Sequence, residues 1–194
     1  MRVGVFGGTF DPVHVGHLAI AHAALESVRL DRVLFVLARR SPLKDRGPVA
    51  GEADRLAMLE LAVAGEPRFA VSRVELDRSG PSYTVETLEQ LAGGDELFLI
   101  LGSDASAALP RWKDAPRIAK LATIVVAERP GAPERMGGAP IVTFDAPRLD
   151  ISSRELRARA ARGLSLRYLV PEPAWRHIEA RGLYRAEGAT SRTT

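Results

Sequence analysis

The sequence predicts an α/β fold, a doubly wound parallel sheet with helices on both faces. Two observations predict it. Short apolar runs alternate along the chain with segments whose apolar residues recur at helical spacing. The first run also ends in a pair of glycines that leads into a helical pattern, the arrangement found at the carboxyl end of a first parallel strand. Strands that alternate with helices build a parallel sheet covered on both faces, with ligands at the carboxyl ends of the strands.

Taken in order, Val3-Gly4-Val5-Phe6 is the first buried strand. Asp11-Pro12 favours a chain reversal, and the helix after it carries Leu18, Ala21, Leu25 and Val28 on one face. Arg32–Leu37 is the second buried strand, followed by a polar loop with Pro and Gly from Ala38 to about Gly51. Glu52–Ala64 is an amphipathic helix with Leu56, Leu59 and Val63 turned inward. Phe69–Leu76 is expected as a strand and Tyr83–Leu91 as a helix capped by Ser82. Glu96–Leu101 is a further buried strand, closed by a Gly-Ser-Asp turn. Ala115–Leu121 is a short helix, Ala122–Ala127 and Ile141–Phe144 are strands, and Ser152–Arg162 is a helix. No internal repeat or low-complexity block interrupts the series.

A chain of 194 residues, 46% of them hydrophobic, can bury one good core. Residues 1–186 are therefore expected to form a single domain, with a polar, disordered tail over 187–194. No run reaches the roughly 18 apolar residues of a membrane-spanning helix. Met1-Arg2 leads straight into the first strand without a signal-peptide pattern, and cysteine is absent. Both features point to the cytoplasm. The missing thiols also exclude disulfides, thiolate catalysis and cysteine-based metal sites. A net charge of +3 admits a nucleic-acid partner, but 24 acidic residues are interspersed among 27 basic ones. Small anionic substrates explain that balance equally well, so no nucleic-acid or membrane partner is expected. A symmetric homo-oligomer is the base-rate expectation.

The chemistry concentrates in Gly7-Gly8-Thr9-Phe10-Asp11-Pro12-Val13-His14-Val15-Gly16-His17. Gly7 and Gly8 can take backbone angles that other residues avoid, and so let main-chain N–H groups approach an anion. The N-terminus of the following helix carries unpaired N–H groups and partial positive charge, a seat for phosphate. His14 and His17 lie three residues apart, on one side of a helix that begins here. They supply imidazole donors without the permanent charge of lysine. No GxxxxGK[ST] loop occurs in the chain, and the glycine spacing is not GxGxxG. Zinc on Asp11, His14 and His17 is disfavoured, because zinc-protease histidines lie at i and i+4 with a glutamate between. No protein-built metal site is expected.

This stretch resembles the GxFDPxHxGH signature of the nucleotidyltransferase superfamily, whose members share an [HT]xGH element. The second signature of that superfamily, an ISSTxxR-like motif, is matched near the other end by Ile151-Ser152-Ser153-Arg154-Glu155-Leu156-Arg157. Within the superfamily the chain is similar, over nearly its full length, to bacterial nicotinate-nucleotide adenylyltransferases. The resemblance implies a Rossmann-like fold. It also implies an ATP site containing Gly7, Gly8, Thr9, Phe10 and Gly16, with main-chain phosphate contacts from Gly8, Thr9 and Phe10. His14 and His17 are then expected to contact the ATP phosphates and stabilise the charge that shifts during attack on the α-phosphorus. Lys44 follows the second strand where the family carries a PHK-like lysine. Here Ser41-Pro42-Leu43-Lys44 lacks the histidine, and Lys44 reads either as a phosphate contact or as a solvated loop lysine. Ser152 and Ser153 would cap their helix and present N–H groups to ATP. Arg157 would grip the β- and γ-phosphates with its planar fork. Arg154 replaces the usual threonine and Leu156 a usual isoleucine, so the threonine's role is not carried over. Read alone, the segment is an arginine-rich, solvated helix.

The resemblance extends to an acceptor pocket. Gly80-Pro81-Ser82-Tyr83-Thr84-Val85-Glu86-Thr87 is similar to the family's SYTxxT segment beside nicotinate, which implicates Tyr83 and Thr84. Leu101-Gly102-Ser103-Asp104 matches its GxD turn, with Asp104, counted among the ATP-binding residues, on a ribose hydroxyl. Trp112 falls where the family places an aromatic ring against the electron-poor pyridine. Arg129, in Glu128-Arg129-Pro130-Gly131, resembles an RPG turn that faces the mononucleotide. By their residue types alone, Tyr83 and Trp112 are equally at home in a core and Asp104 in a helix cap. The implied reaction transfers the adenylyl group of ATP to nicotinate mononucleotide, giving deamido-NAD and pyrophosphate in NAD biosynthesis. Mg²⁺, carried by the ATP phosphates, is the implied cofactor. No protein nucleophile is needed, and no GxSxG elbow surrounds Ser103. Nicotinamide-mononucleotide or phosphopantetheine adenylyl transfer is the alternative within the class, and a nucleotide-binding sensor the alternative outside it.

Overall fold

The structure is a computed structural model that describes residues 1–40, 47–127, 135–136 and 139–186. Its elements run β1 (Arg2–Gly8), α1 (Val15–Ser27), β2 (Arg32–Leu37), α2 (Glu52–Val63), β3 (Phe69–Ser72), α3 (Thr84–Leu91) and β4 (Glu96–Leu101). Then follow α4 (Ser103–Ala108), a 3₁₀ turn (Leu109–Arg111), α5 (Ala115–Leu121), β5 (Thr123–Ala127), β6 (Arg135–Met136), β7 (Ala139–Phe144), α6 (Ser153–Ala161) and α7 (Glu172–Arg181).

Strands β3-β2-β1-β4-β5-β7 form a parallel sheet in that order, and β6 pairs antiparallel along the outer side of β7. The α/β, doubly wound, Rossmann-like class is therefore what the alternation of runs implies. Period-two patterning inside each run explains why both faces are covered. Val3 and Val5 of β1, Val36 of β2, Leu97, Leu99 and Leu101 of β4 and Val126 of β5 enter one core with α3 and α5. Phe6, Val33, Phe35, Phe98, Ile100 and Val125 enter the other, with α1, α2, α6 and α7. The chain winds from β1 outward to β3, then crosses back to β4 on the other side of β1. The crevice at the carboxyl ends of β1 and β4 is thus the topological switch point, where such sheets bind ligands. Among the described residues, no helix is long and apolar enough to cross a membrane.

Several elements differ from expectation. β3 stops at Ser72, because Arg73 to Asp77 closes into a turn through Leu76 N and Asp77 N bonds to Arg73 O. Ser82 does not cap α3. The cap position is Tyr83, and the Ser82 hydroxyl accepts instead from Arg39 N at 3.1 Å, tying the approach to α3 to the end of β2. The turn expected after β4 is a short helix, α4, which runs into the 3₁₀ turn. On α2 the buried set is Arg55, Met58, Leu59 and Val63, with Leu56 only half-buried. The helix is thus rotated toward its arginine. The helix α7 was not anticipated; its His177 and Arg181 both reach Asp54 of α2 at 3.0 Å. The tail 187–194 lies outside the described residues.

Candidate active site

β1 runs to Gly8, which pairs with Leu37 of β2, so both glycines still belong to the strand. Neither takes a positive φ; the left-handed residue is Phe10, at φ 45°. The role expected of Gly7 and Gly8, unusual backbone angles, is corrected here. Gly8 is required by space: a Cβ there would lie 2.8–3.0 Å from the ring of Phe10. That ring is buried, edge-on to Phe6 at 5.9 Å and to His17 at 5.0 Å. Gly7 is exposed, and a Cβ built on it meets nothing within 4 Å, so the strand end opens into free space.

His14 is the N-cap residue of α1, in extended backbone, and His17 lies in the helix's first turn. Their rings stack with centroids 3.7 Å apart and planes 28° apart. His14 N donates to His17 Nδ1 at 3.1 Å. A ring that accepts at Nδ1 carries its proton on Nε2, which leaves Nε2–H as the donor of a neutral His17. His14 is buried, and burial pushes its pKa down to about 4, so the ring is neutral at neutral pH. Its Nδ1 has no hydrogen-bond partner among the described residues. Gly16 makes the stack possible: a Cβ there would stand 2.9 Å from Ile151 Cγ2 and 3.1 Å from His14 Nδ1. One N–H of the α1 terminus is already used, Val15 N donating to Leu169 O at 3.1 Å.

Ile151 brings the second motif onto the first. Ser152 caps α6 as expected, accepting from Glu155 N at 3.3 Å and donating to Glu155 Oε2 at 2.8 Å. Ser153 does not cap; its hydroxyl donates to Pro12 O at 2.9 Å. Arg157 is turned the same way, its Nη1 donating to Asp11 O at 2.6 Å and lying 3.8 Å from Asp11 Oδ2. Arg154 is exposed. The two signatures, separate in sequence, therefore form one contiguous group at the end of β1.

Asp11, read from sequence as a turn residue and a disfavoured zinc ligand, is buried at the centre of this group. Its carboxylate accepts from Val49 N at 2.7 Å, Ala50 N at 3.1 Å and the Tyr184 hydroxyl at 2.8 Å. Thr9 O accepts from Arg55 at 3.0 Å. Arg55 and Tyr184 were missed. Their sequence signals are faint: an arginine on the apolar stripe of a helix, and a tyrosine just past a helix end.

On the other face, Tyr83 stands at the N-cap position of α3 and Trp112 follows the 3₁₀ turn; both are half-buried against the second core. Lys113 Nζ lies 4.3 Å over the Tyr83 ring and 2.7 Å from Glu86 Oε1. The indole N–H of Trp112 is buried without a partner among the described residues. Thr84 opens α3. Asp104 lies in the first turn of α4 directly after β4, but its side chain is outside the description, as are Lys44 and Arg129 altogether. Among the described residues no group of three or more His, Cys, Asp or Glu is placed to hold a metal ion. A cavity of about 630 Å³ does exist elsewhere, between α1 and the end of α2, lined by Leu18, His22, Glu66 and Phe69. None of the motif side chains reaches it, so its size alone does not make it the reactive centre.

A cytidylyltransferase-like family model matches residues 5–159, which spans both signatures. A protein of Roseiflexus castenholzii described as a probable nicotinate-nucleotide adenylyltransferase is 49% identical over 95% of this chain and 98% of its own length. A Thermus thermophilus protein of the same description is 50% identical over 95% of this chain and 100% of its own. Among solved structures, the nicotinic acid mononucleotide adenylyltransferase of Plasmodium falciparum complexed with NaAD superposes with a TM-score of 0.73. It shares 17% identity and covers 94% of this chain and 97% of its own, a likeness of fold.

Proposed function

The chain belongs to the cytidylyltransferase-like family, among its nicotinate-nucleotide adenylyltransferases, and it acts in NAD biosynthesis; from this we propose how its residues carry the reaction. ATP is the adenylyl donor and nicotinate mononucleotide the acceptor. A phosphate oxygen of the mononucleotide bonds to the α-phosphorus as the bond to the β-phosphate oxygen breaks, and pyrophosphate leaves. The protein needs no nucleophile, because the difficulty is to hold two anions in line and to stabilise the charge that moves between them.

The observation that carries this reading is the stacked pair His14 and His17, joined through Gly16 and Ile151 to the helix of Arg157. His17 Nε2–H donates to the phosphate oxygens on which charge develops. His14, kept neutral, sets the His17 ring and its tautomer. Exposed Gly7 and the backbone of Gly8, Thr9 and Phe10 line the triphosphate, and Arg157 and Lys44 neutralise its far end. Ser152 and Ser153 hold α6 where its N–H groups face the nucleotide. Mg²⁺ fits as a passenger of the triphosphate that neutralises the departing pyrophosphate, since the carboxylate nearest the phosphate loop, Asp11, is already bonded to Val49, Ala50 and Tyr184. Trp112 and Tyr83 flank the pyridine, Thr84 and Arg129 face the mononucleotide, and Asp104 takes a ribose hydroxyl. A pocket built of N–H donors favours the nicotinate carboxylate over the nicotinamide amide by about 1–3 kcal/mol, or roughly tenfold to over a hundredfold.

The test is pyrophosphate release from ATP and Mg²⁺ with nicotinate mononucleotide, nicotinamide mononucleotide and phosphopantetheine in parallel. Strong preference for nicotinate mononucleotide is expected. Preference for another acceptor would move the pocket assignment, and ATP binding without release would leave a nucleotide sensor.

A further inference from the structure

Lys113 follows Trp112 directly, and neither signature accounts for it. Its side-chain contacts lie at the start of α3. Nζ stands 4.3 Å over the ring of Tyr83, the N-cap residue, and 2.7 Å from Glu86 Oε1 in the helix's first turn. The hydrogen bond between them pushes the lysine's pKa up and the glutamate's down, so both stay charged. Lys113 is 53% exposed and Glu86 35%. Exposed pairs of this kind add little to stability, and long side chains lose rotamer freedom when held in one geometry. The fold alone therefore gives no strong reason to fix an ammonium there.

The charges around it are not closed. Glu86 is shared, its Oε2 lying 3.6 Å from Arg78 Nε. Lys113, Arg78 and Glu86 thus form a linked set with two positive charges against one negative. Donors outnumber acceptors as well. An ammonium has three N–H groups, and the bond to Glu86 Oε1 uses one. Arg78 Nη2 is buried without a partner among the described residues. Tyr83 gives α3 no side-chain cap, so the partial positive charge of the helix end adds to the set. A planar group with a single negative charge completes the balance. A ring-borne carboxylate does so, whereas a carboxamide brings no charge and turns N–H groups of its own toward donors.

We propose that Lys113 is a specificity-determining residue, whose ammonium, held by Glu86 over the Tyr83 ring, bonds the ring carboxylate of the acceptor mononucleotide. The inference deepens the reading of Tyr83 and Trp112 as the walls of the pyridine pocket, and it rests on that reading.

Lys113→Met keeps most of the length and loses the charge, and Lys113→Arg keeps a cation. Each is assayed for kcat/KM with nicotinate and nicotinamide mononucleotides at low and high KCl, and for the ATP KM, beside thermal melting. In Lys113→Met the nicotinate-to-nicotinamide ratio should fall about tenfold, through a higher KM for nicotinate mononucleotide. The ATP KM should stay within about twofold. Lys113→Arg should recover part of the ratio. In the parent the ratio should shrink as KCl rises from about 0.05 M to about 0.5 M, because salt screens a half-exposed charge; in Lys113→Met it should stay flat. A role confined to holding α5 on α3 predicts none of this, since it would slow both acceptors alike and lower the melting midpoint. A ratio in Lys113→Met within about twofold of the parent overturns the proposal, as does an equal rise in the constants for ATP and mononucleotide, or a parent ratio indifferent to salt. Should Lys113→Met not fold, Lys113→Gln takes its place under the same criteria. The parent protein distinguishes the two failures. A parent that turns over neither acceptor sinks the functional reading and this inference with it. A parent that uses both acceptors equally well sinks the assignment of Lys113 alone.

Discussion

The hydroxyl of Tyr184 donates to the carboxylate of Asp11 at 2.8 Å, joining residues 173 positions apart. Tyr184 follows α7 in left-handed backbone, and its ring is buried near Met58. Burial beside the Asp11 charge raises the phenol's pKa, so it stays a donor at any working pH. Through this bond the end of the described chain stabilises the turn proposed to carry the phosphate contacts. Tyr184→Phe leaves a buried carboxylate one donor short, at a cost of about 1–3 kcal/mol. Thermal melting should show a drop of roughly 2–10 °C with kcat close to the parent. An unchanged midpoint would mean that Asp11 finds another donor.

Gly16 separates two rings' worth of chemistry by a single hydrogen atom. In Gly16→Ala the new methyl would meet Ile151 at 2.9 Å and the His14 ring at 3.1–3.2 Å, so one of them must move. Overpacking of this kind costs about 1–3 kcal/mol. Displacing the imidazole costs more in rate, since a shift of about 1 Å at a reacting centre can lose roughly a hundredfold. Pyrophosphate-release assays should find kcat down about tenfold to a hundredfold in protein that still melts cooperatively. Parent-like turnover would show that the stack of His14 on His17 is not needed.

Much of this arrangement was legible in the sequence, and the gaps have physical reasons. Buried parallel strands are apolar throughout, so β1, β2, β4 and β5 announced themselves within a residue or two. The histidine pair and Arg157 were legible because their motifs are contiguous. The left-handed conformation was expected at Gly7 and Gly8 and is found at Phe10, because glycine's freedom is a permission, and at Gly8 its small size is what matters. α4, Ser-Asp-Ala-Ser-Ala-Ala, has no apolar face to display a period. α7 did carry signals, Pro173 in its first turn and Gly182 beyond its last, with Ala174 and Ile178 buried four residues apart. Arg55 was hidden by a sound rule: arginine is almost never fully buried, so it reads as the solvated edge of an apolar stripe.

Trp112 is half-buried against the second core, with an indole N–H that has no partner among the described residues. A stacking role and a packing role make different predictions. If the ring faces the pyridine, Trp112→Ala raises the mononucleotide KM about tenfold, as loss of an aromatic contact with a cationic ring would. The ATP KM should barely change. Steady-state kinetics with each substrate varied in turn decides the matter, and an unaltered mononucleotide KM in folded protein returns Trp112 to the core.

His17 should act on the transition state more than on bound ATP, since in the proposed mechanism its Nε2–H meets charge that appears only as the α-phosphorus is attacked. His17→Ala is expected to lower kcat by roughly a hundredfold or more. ATP affinity should fall less than about tenfold. Single-turnover rates measured beside calorimetric ATP titration separate the two. Near-parent turnover in this variant would sink the assignment of His17 as the catalytic donor.

His14 makes the fold sensitive to acid. Its pKa falls from an ordinary 6.5 to about 4 because the ring is buried, and the charged form loses its water. Between those values the unfolded chain binds more protons at this ring than the folded chain does, so stability rises with pH across the window. The contribution is complete above about pH 6.5 and is lost as pH falls toward 4, with a size of roughly 3 kcal/mol. Urea midpoints for the parent should therefore fall faster from pH 6.5 to 4.5 than those of His14→Asn, which has no proton to gain. The same neutral ring leaves no inflection near 6.5 from His14 in the pH dependence of kcat/KM for ATP. An NMR titration of the His14 ring with a midpoint near 6.5 would contradict both expectations and place the imidazole in water.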